Sequence, residues 1–412
     1  MREVKVIGVG MTHFGKFLER SMKDLTREAC TIAFAEANVE PKQIQAAYVG
    51  NAMAGLVTGQ ECIRGQVVLR PLGIGGIPVF NVENACASSS AALHLAWLAV
   101  ASGAYDLTLA LGVEKLYHED KKKSFMALAA AMDVEVIAQF LALQQLKKQE
   151  AGEGEGEGKP KSESGGRSIF MDFYAIGARM HMQRYGSTQE QFAVISAKNH
   201  FHGSLNPHAQ YRETYTPEQI LASPLVSYPL TRLMCSPIGD GAAAAILASP
   251  EMAKKLGAKQ PVTVAGSALG SGMDRPMNAP DIVARVSKVA YEMAGLGPGD
   301  VNVAEVHDAT VYGEVQACEE LGFCPAGQGA LFGAAGHTKL GGKLPINTSG
   351  GLESKGHPVG ATGVAQIAEL VWQLQGRAGN RQVEGAKVGL TENGGGAIGI
   401  EAAAMSVHIL KI

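Results

Sequence analysis

Cys86 and His357 are the residues of this sequence whose surroundings best suit chemistry. Cys86 lies in NACASSS, directly before an Ala- and Leu-rich helical pattern, and His357 lies in GHPVGATG. The backbone N–H groups and the dipole at the start of a helix favour a thiolate, so we expect a lowered pKa and a nucleophilic sulfur at Cys86. Small residues beside both side chains leave room for a substrate. The alternative for Cys86 is a buried structural cysteine, which is ordinarily the commoner case.

Two further segments carry candidate groups. In AEVHDATVYGEV an apolar strand delivers His307 and Asp308 to a turn before a helix. Neighbouring residues at a strand end point apart, so only one of them is expected to face a given site. The alternative is Asp308 as a helix N-cap with His307 on the surface. In TENGGGAIG, Gly394 to Gly396 leave backbone N–H groups unshielded, which either hold an oxygen that becomes anionic or form a tight turn.

Alternating strand and helix signals must position these groups. Short β-rich runs are separated by longer helical patterns, which is typical of a layered α/β fold. These runs are VKVIGVG, LTLALGV, AAAAILA, VTVAGSALG, KVGLTE and MSVHIL. The sequence therefore predicts an α/β protein in which the candidate groups lie on loops beside the strand ends.

The order of features around Cys86 recurs around His357. Each is followed by small residues, an apolar helix that carries one of the two tryptophans (Trp97 or Trp372), a glycine break and a buried strand. This recurrence predicts a duplicated α/β unit with a boundary near residues 250–261. A duplication would bring Cys86 and His357 to the same corner of their halves, facing each other across a pseudo-twofold axis.

The middle of the chain contains two unusual segments. The stretch KKQEAGEGEGEGKPKSESGGRS, residues 147–168, lacks the apolar residues needed to offset ordering entropy and predicts a mobile surface loop. The next stretch, IFMDFYAIGARMHMQRYG, is rich in Met and aromatic residues. We interpret it as a buried helix, with a substrate-facing surface as the alternative.

Composition restricts the class of function. The chain has 412 residues, 46% of them hydrophobic, and a formal net charge of −3, without a basic stripe for nucleic acid. Its apolar runs suit neither a signal peptide nor a membrane span. The six cysteines lack the paired spacing of a zinc site or a disulfide scaffold. We therefore expect a cytoplasmic protein without a metal, a nucleic-acid partner or a membrane.

Four segments, in this order, resemble the active-site loops of the thiolase superfamily: NACASSSAALHLA, EVHDA, NTSGGLESKGHPVGATGVAQI and LTENGGG. They are most similar to the branch of the archaeal-type and sterol-carrier-protein-type thiolases, which carries an H-D motif where biosynthetic thiolases have N-E-A-F. The segment PLTRLMCSPIGDGAAAAIL also matches that branch. The resemblance covers nearly the whole chain outside the Gly- and Glu-rich stretch.

The resemblance implies a thiolase fold, in which two similar halves form a five-layered αβαβα arrangement with an inserted loop domain. Residues 1–115 and 188–258 would form the N-terminal half. Residues 116–187 would form the loop domain, and residues 259–412 would form the C-terminal half.

The resemblance also implies acyl transfer with coenzyme A as substrate and product and with no bound cofactor. Cys86 would accept the acyl group, and His357 would activate it and help to bind the thioester oxygen. His307 would hold a water or the carbonyl oxygen of the second substrate. The backbone N–H groups of Cys86 and Gly395 would form the other oxyanion hole.

The sequence departs from relatives at the second catalytic cysteine. Ordinary thiolases carry that cysteine in a C-x-G loop, and the sterol-carrier type carries it in H-D-C-F, where this chain has Asn393 and Ala309. Asn393 and Asp308 are the candidates for this second position, unless Cys318 or Cys324 folds back. Otherwise a histidine takes the α-proton or the chemistry differs.

The functional hypothesis is an acyl-CoA C-acyltransferase that makes or cleaves a 3-oxoacyl-CoA through an acyl-cysteine. Two directions stay open: thiolytic cleavage, with an aromatic or branched acyl group among the possibilities, and acetoacetyl-CoA synthesis. The alternatives are a decarboxylative, ketoacyl-synthase-like condensing enzyme and a non-catalytic binding or scaffold subunit. The resemblance implies a homodimer or tetramer, and some members of this branch work beside a small zinc-ribbon/OB-fold protein.

Overall fold

The computed structural model describes residues 1–136, 138, 168–276 and 279–412. Residues 147–167 of the predicted mobile loop lie outside the described residues. The described strands, in chain order, are β1 (Lys5–Met11), β2 (Ala46–Gly50), β3 (Val79–Val82), β4 (Leu107–Glu114), β5 (Leu225–Ser227), β6 (Leu230–Thr231), β7 (Gly241–Ala248), β8 (Val262–Ser271), β9 (Val303–Glu305), β10 (Val388–Gly395) and β11 (Ala404–Lys411). All six β-rich runs of the sequence form strands, which confirms those predictions.

The α-helices follow the same alternation. In chain order they are α1 (Met22–Ala37), α2 (Ala54–Thr58), α3 (Arg64–Leu69), α4 (Ser88–Ala101), α5 (Lys121–Ala129), α6 (Phe170–Tyr185), α7 (Gln189–Ser204), α8 (Pro217–Ala222), α9 (Pro250–Lys255), α10 (Ile282–Ala294), α11 (Val311–Glu320), α12 (Gly329–Ala334), α13 (Gly351–Lys355) and α14 (Thr362–Leu374). Among these described helices, none combines the length and apolar character that crossing a membrane requires.

Nine of the described strands form one sheet in the order β3-β2-β4-β7-β1-β8-β11-β10-β9. Counted outward from its centre, β1, β7, β4 and β2 correspond to β8, β11, β10 and β9. The β2–β4 and β9–β10 ladders are both parallel, and the remaining ladders of these eight strands are antiparallel. The halves meet through a short β1–β8 ladder, Lys5 opposite Thr263 and Val6 opposite Val262. This matched order is the duplication that the recurring sequence pattern predicts.

Alternating side chains divide the core into layers. In β4, Leu109 and Leu111 pack with α1, whereas Ala110 faces the central helices α4 and α14. In β11, Ile409 packs with α10 and α11, whereas Leu410 faces the same central helices. The order of layers is therefore α1, N-terminal strands, α4 with α14, C-terminal strands, and α10 with α11. This is the five-layered αβαβα arrangement of the predicted fold.

The two central helices meet where each begins. The Val364 N–H donates to the Ser89 hydroxyl at 3.1 Å. A Cβ at Gly363 would lie only 2.5 Å from the Ser90 nitrogen, so a glycine is needed for the helices to approach this closely. Since Cys86 precedes α4 and His357 precedes α14, this crossing brings the two candidate groups to one place.

The chain between β4 and β7 builds a separate, smaller core. It packs α6, α7 and α8 with α11 around Phe192, Ile195, Leu230 and Met234. This region covers the end of the sheet where the candidate groups lie. The domain boundaries stated from the sequence remain predictions.

Candidate active site

Cys86 lies at the middle of a 3₁₀ turn, Ala85–Ala87, that leads directly into α4. The Ser88 hydroxyl closes this turn, because it donates to the Ala85 carbonyl at 2.6 Å and accepts from the Asn84 N–H at 3.0 Å. Ala85 has a φ of 47°, a conformation that non-glycine residues rarely adopt. The turn therefore holds the Cys86 sulfur in one direction, towards the C-terminal half.

The His357 imidazole faces this sulfur. Its Nε2 lies 3.3 Å from the Cys86 Sγ, and its Nδ1 lies 2.7 Å from the Thr362 hydroxyl oxygen. That hydroxyl donates its own proton to the Pro358 carbonyl at 3.1 Å, so it accepts from Nδ1–H. The proton of the neutral imidazole is therefore on Nδ1, and the Nε2 lone pair faces the thiol. This is the geometry of a base beside a nucleophile.

His307 completes a three-residue constellation with Cys86 and His357. The Cys86 Sγ and one ring nitrogen of each histidine all lie within 4.8 Å of one another, and the centroids of the two imidazole rings are 5.2 Å apart. The Asn393 side-chain N–H₂ donates to the His307 Nδ1 at 2.9 Å, while the Asn393 oxygen accepts from the Ser90 hydroxyl at 2.7 Å. In this network the His307 proton is on Nε2. His307 is thus a hydrogen-bond donor where His357 is an acceptor.

Burial sets the charge of the constellation. It raises the pKa of the Cys86 thiol to about 12, against the opposing effect of the Gly396 and Cys86 N–H groups. Burial also lowers the pKa of His307 to about 4, and burial together with His307 and Lys355 holds the pKa of His357 well below its ordinary value. The pair is therefore neutral, a thiol beside an imidazole. The expectation of a lowered Cys86 pKa is wrong, because desolvation outweighs the helix terminus.

The glycine turn after β10 presses against the nucleophile loop. A Cβ at Gly395 would clash with the Asn84 carbonyl and would lie 2.6 Å from the Ala87 nitrogen. The N–H group that interacts with the Cys86 sulfur belongs to Gly396, one residue beyond the predicted donor. Gly395 therefore supports the position of the sulfur, and its role as an oxyanion donor remains a prediction.

Asp308 points away from the constellation, so its candidacy for the second position is wrong. Its carboxylate accepts from the Leu352 N–H at 2.7 Å and from the Asn199 side chain at 3.3 Å, inside a fully buried cluster. It is not a helix N-cap either, since Thr310 holds that place for α11. The expectation that only one of His307 and Asp308 faces the site is confirmed.

No second cysteine of the described chain takes the missing position beside His307. Asn393 occupies it and binds His307, and Ala309 lines the cavity without a polar side-chain atom. Cys318 in α11 and Cys324 after this helix are buried in the core that α11 shares with α10, and all six cysteines are free. The folding back of either cysteine onto the site is therefore excluded.

Two polar groups of the site are not evident from the sequence motifs. Thr362 orients His357, and Glu114 at the end of β4 anchors the loop after His357 and the segment after β2. The Glu114 carboxylate accepts backbone hydrogen bonds from Ala52 (3.2 Å), Met53 (3.1 Å), Ala54 (2.8 Å) and Gly360 (2.8 Å). A charged residue at the end of the apolar run LTLALGVE was the available signal for Glu114, because a buried charge requires partners.

A cavity of about 1350 Å³ opens above the constellation and reaches Cys86, His307 and His357. Helix α6 forms much of its wall. Phe173, Ile176 and Met180 are 45%, 46% and 47% exposed and line the cavity, while only Ala175, Ala178 and His181 of this helix are buried. The interpretation of this segment as a buried helix is therefore wrong, and the substrate-facing alternative fits the exposure.

Comparison with known proteins identifies two matching domain families. The family "Thiolase, N-terminal domain" matches residues 4–221, and the family "Thiolase C-terminal domain-like" matches residues 240–411. Together they span both halves of the duplicated fold.

Individual relatives agree with this match. The chain is 42% identical over 416 residues to an acetyl-CoA acetyltransferase of Methanothermobacter thermautotrophicus, covering 100% of both chains. It is 36% identical to the benzoylsuccinyl-CoA thiolase subunit BbsB of Thauera aromatica, covering 93% of this chain and 92% of the relative. The solved structure of the Ltp2-ChsH2(DUF35) aldolase has the same fold, with a TM-score of 0.76, 24% identity, and coverage of 99% of this chain and 97% of that chain.

Proposed function

Since this chain belongs to the thiolase family, we propose that it cleaves 3-oxoacyl-CoA esters with free coenzyme A through an acyl-Cys86 intermediate. The acyltransferase class and the use of coenzyme A follow from the family and its relatives. What we propose is the substrate, the direction of the reaction and the role of each residue. Run in reverse, the same steps would condense two acyl-CoA molecules.

The observation that carries the proposal is the 3.3 Å contact between the Cys86 Sγ and the His357 Nε2, with the opposite ring nitrogen held by Thr362. In the condensation direction, His357 takes the thiol proton as the sulfur attacks the thioester carbonyl carbon of the first acyl-CoA. The bond between that carbon and the sulfur of coenzyme A then breaks, the departing thiolate takes the proton from the imidazolium, and the acyl group remains on Cys86. In cleavage, the Cys86 sulfur attacks the 3-oxo carbon of the substrate and the bond between its 2- and 3-carbons breaks. Free coenzyme A then takes the acyl group from Cys86 by the reverse of the exchange described above.

His307 suits the step in which the C–C bond forms in condensation or breaks in cleavage. In the network with Asn393 and Ser90, its proton is on Nε2, so the ring can donate to a substrate carbonyl oxygen that becomes anionic. A preorganised donor of this kind contributes about 2.7 to 4 kcal/mol to the lowering of a barrier. Gly395 and the Cys86 N–H are the proposed donors to the oxygen of the acyl-cysteine.

The apolar residues in the wall of the cavity favour a substrate with an apolar acyl group. Phe173, Ile176 and Met180 present aromatic, branched and flexible surfaces to the same space. The relative BbsB is named for an aromatic acyl-CoA. We therefore include aromatic and branched 3-oxoacyl-CoA esters among the proposed substrates, alongside acetoacetyl-CoA.

Intact-protein mass spectrometry with a panel of acyl-CoA esters tests the intermediate. Wild type should gain the mass of one acyl group, and Cys86→Ala should gain none. Loss of enolate absorbance on adding coenzyme A to a panel of 3-oxoacyl-CoA esters then identifies the substrate. No acylation with any ester would refute the enzyme and leave a binding subunit. Use of malonyl-CoA with release of CO₂ would identify a decarboxylative condensing enzyme instead.

A partner and an oligomer are also part of the proposal. The Ltp2 structure of the same fold is an assembly with ChsH2, a DUF35 protein, and this supports a small zinc-ribbon/OB-fold partner for the present chain. We propose a homodimer or tetramer in the cytoplasm. Size-exclusion chromatography with light scattering gives the oligomeric state, and full thiolysis activity of the purified chain alone would remove the need for a partner.

A further inference from the structure

Proton transfer to and from the α-carbon lacks an obvious residue in this site. The reaction proposed above requires a base for that proton, and Asn393 and Ala309 have no side-chain group that can take it. His357 is engaged with Cys86, and His307 has its Nδ1 occupied by the Asn393 amide. With its proton on Nε2, His307 is a donor to the cavity and not a base.

Glu392 is the remaining candidate among the described residues near the constellation. It directly precedes Asn393 in β10, is 97% buried and lines the same cavity as Cys86, His307 and His357. Its Oε2 accepts from the His307 backbone N–H at 2.8 Å. Among the hydrogen bonds of the described residues, its Oε1 has no partner. One oxygen therefore fixes the carboxylate beside His307, and the other remains able to accept a proton.

Two other cavity residues near the site do not meet the requirement. Burial, together with the charges of Cys86, Glu392 and Asp308, raises the pKa of Tyr174, so its hydroxyl keeps its proton. Burial raises the pKa of Cys235, and its thiol donates to the Thr231 carbonyl at 3.4 Å. Neither is a base at neutral pH.

We propose that Glu392 is the catalytic base for the α-carbon proton, an inference that rests on the proposed function. In the direction of condensation, a carboxylate oxygen of Glu392 takes the proton from the α-carbon of the second acyl-CoA, and the C–H electron pair forms an enolate. The enolate carbon attacks the carbonyl carbon of acyl-Cys86. A C–C bond forms, the C–S bond breaks, and Cys86 leaves as a thiolate.

One proton transfer restores the site after this step. Glu392 holds the proton removed from the substrate, and the Cys86 thiolate needs one. Transfer between them, through water in the cavity or through His357, returns a thiol and a carboxylate. Cleavage follows the same path in reverse, with Glu392 as the acid that protonates the α-carbon.

The ionisation of Glu392 agrees with this role. Burial is the largest influence and raises the pKa of Glu392 to about 7, with the His307 N–H acting in the opposite direction. A base whose pKa lies near the working pH is both available as the carboxylate and able to hold the proton.

The test compares Glu392→Gln with Glu320→Gln. The glutamine keeps an oxygen for the His307 N–H but cannot take a proton. Glu320 is a matched control, because it lines the same cavity and burial raises its pKa to about 7, yet it lies beside Asp281 and Arg275. Two rates are measured with acetyl-CoA in ²H₂O: acylation of Cys86 by mass spectrometry, and deuterium incorporation into the methyl group.

The expected result is a separation of the two rates. Glu392→Gln should acylate Cys86 within about threefold of wild type but lose exchange by about 10²- to 10⁴-fold. Glu392→Asp, which retains a carboxylate, should regain part of the exchange, and Glu320→Gln should keep both rates within about threefold. Exchange at the wild-type rate in Glu392→Gln would overturn the inference, as would an equal loss of both rates, which indicates that Glu392 only positions His307. If deuterium exchange were lost in Cys235→Ser but kept in Glu392→Gln, Cys235 and not Glu392 would be the base for the α-carbon proton. If wild type is acylated by no ester of the acyl-CoA panel, the proposed function itself fails, and this inference with it.

Discussion

The approach to α4 and the approach to α14 are two versions of one structure that carry different chemistry. Each begins with a 3₁₀ turn, Ala85–Ala87 in one half and Val359–Ala361 in the other, and each is followed by a buried helix and a buried strand. The first turn carries the thiol Cys86. The second follows His357 and the proline after it. The duplicated backbone thus supplies two matched turns, of which one carries the nucleophile within it and the other directly follows the segment that carries the base.

The anchors of these two turns differ in the same way. The N-terminal half ends β4 with Glu114, whose carboxylate binds the Gly360 N–H of the opposite turn at 2.8 Å. The C-terminal half ends the corresponding strand, β10, with Gly395, which lies against the backbone of the Cys86 turn. Each half therefore positions the reactive group of the other, by a charge in one direction and by close backbone contact in the other.

Among the changes that test the difference between the two turns, removal of the Cys86 thiol should have the largest effect on the rate of thiolysis. Cys86→Ala leaves the base without a nucleophile, and we expect thiolysis to fall by at least about 10⁴-fold. Loss of acetoacetyl-CoA absorbance in the presence of coenzyme A measures the rate. Cys235→Ala is the control, because this cysteine lines the same cavity without contacting His357, and its activity should stay within about threefold. Equal losses in both variants would show that the cavity as a whole, and not the Cys86 position, had been damaged.

Gly395→Ala should break the backbone contact on the N-terminal side while retaining every catalytic side chain. The added Cβ would lie 2.6 Å from the Ala87 nitrogen, so the Cys86 turn must move. A displacement of about 1 Å at a reacting group costs about 10²-fold in rate, and the acylation rate of Cys86 should fall by about this factor.

The matched control for that change is Gly75→Ala. No heavy atom lies within 4 Å of a Cβ at Gly75, so acylation and melting temperature should both stay close to wild type. Wild-type acylation in Gly395→Ala would show that the C-terminal half does not position the sulfur.

The sequence predicted the pairing of the two turns but not their protonation. The recurring order around Trp97 and Trp372 is a property of the chain, so the duplicated fold and the meeting of Cys86 with His357 could be predicted. The pKa of Cys86 depends on how completely α6 and the opposite half exclude water, which no local pattern expresses. The same limit applies to α6 itself, whose Met and aromatic residues suit a core and a cavity wall equally well.

Other residues were missed because their partners are distant in sequence. Glu114 binds Gly360, which is 246 positions away, and Glu392 binds the His307 backbone, which is 85 positions away. The direction in which Asp308 points is likewise set by Asn199 and Leu352. Only the assembled fold brings these groups together.

Thr362→Val should weaken the orientation of the base on the C-terminal side. Valine has nearly the same shape as threonine but leaves the His357 Nδ1–H without its acceptor, at a cost of about 1 to 3 kcal/mol for a buried donor. We expect acylation of Cys86 to fall by about ten- to a hundredfold, with little change in the apparent affinity for acyl-CoA. Thr362→Ser restores the hydroxyl and should recover most of the rate. Failure of serine to recover it would indicate a packing effect.

The smallest expected change is the response of acylation to pH. Burial holds the pKa of Cys86 near 12 and that of His357 well below its ordinary value, so between pH 6.5 and 8.5 the thiol stays protonated and the imidazole stays neutral. The acylation rate, followed by rapid quench and mass spectrometry, should therefore vary by less than about threefold over this range. If the acylation rate instead changed steeply near pH 7, Cys86 and His357 would form a thiolate–imidazolium pair. This is the state that the helix N-terminus alone predicts.

Exchange of the α-proton should respond differently over the same range. Glu392 must be a carboxylate to accept a proton, and its pKa is raised to about 7. Exchange should therefore be lost as the pH falls through about 7, with a slope of tenfold per unit on the acid side. A flat profile for acylation together with an acid limb for exchange would assign the two proton transfers to different residues. Matching profiles would mean that one group serves both steps, and His357 would then be the base for both.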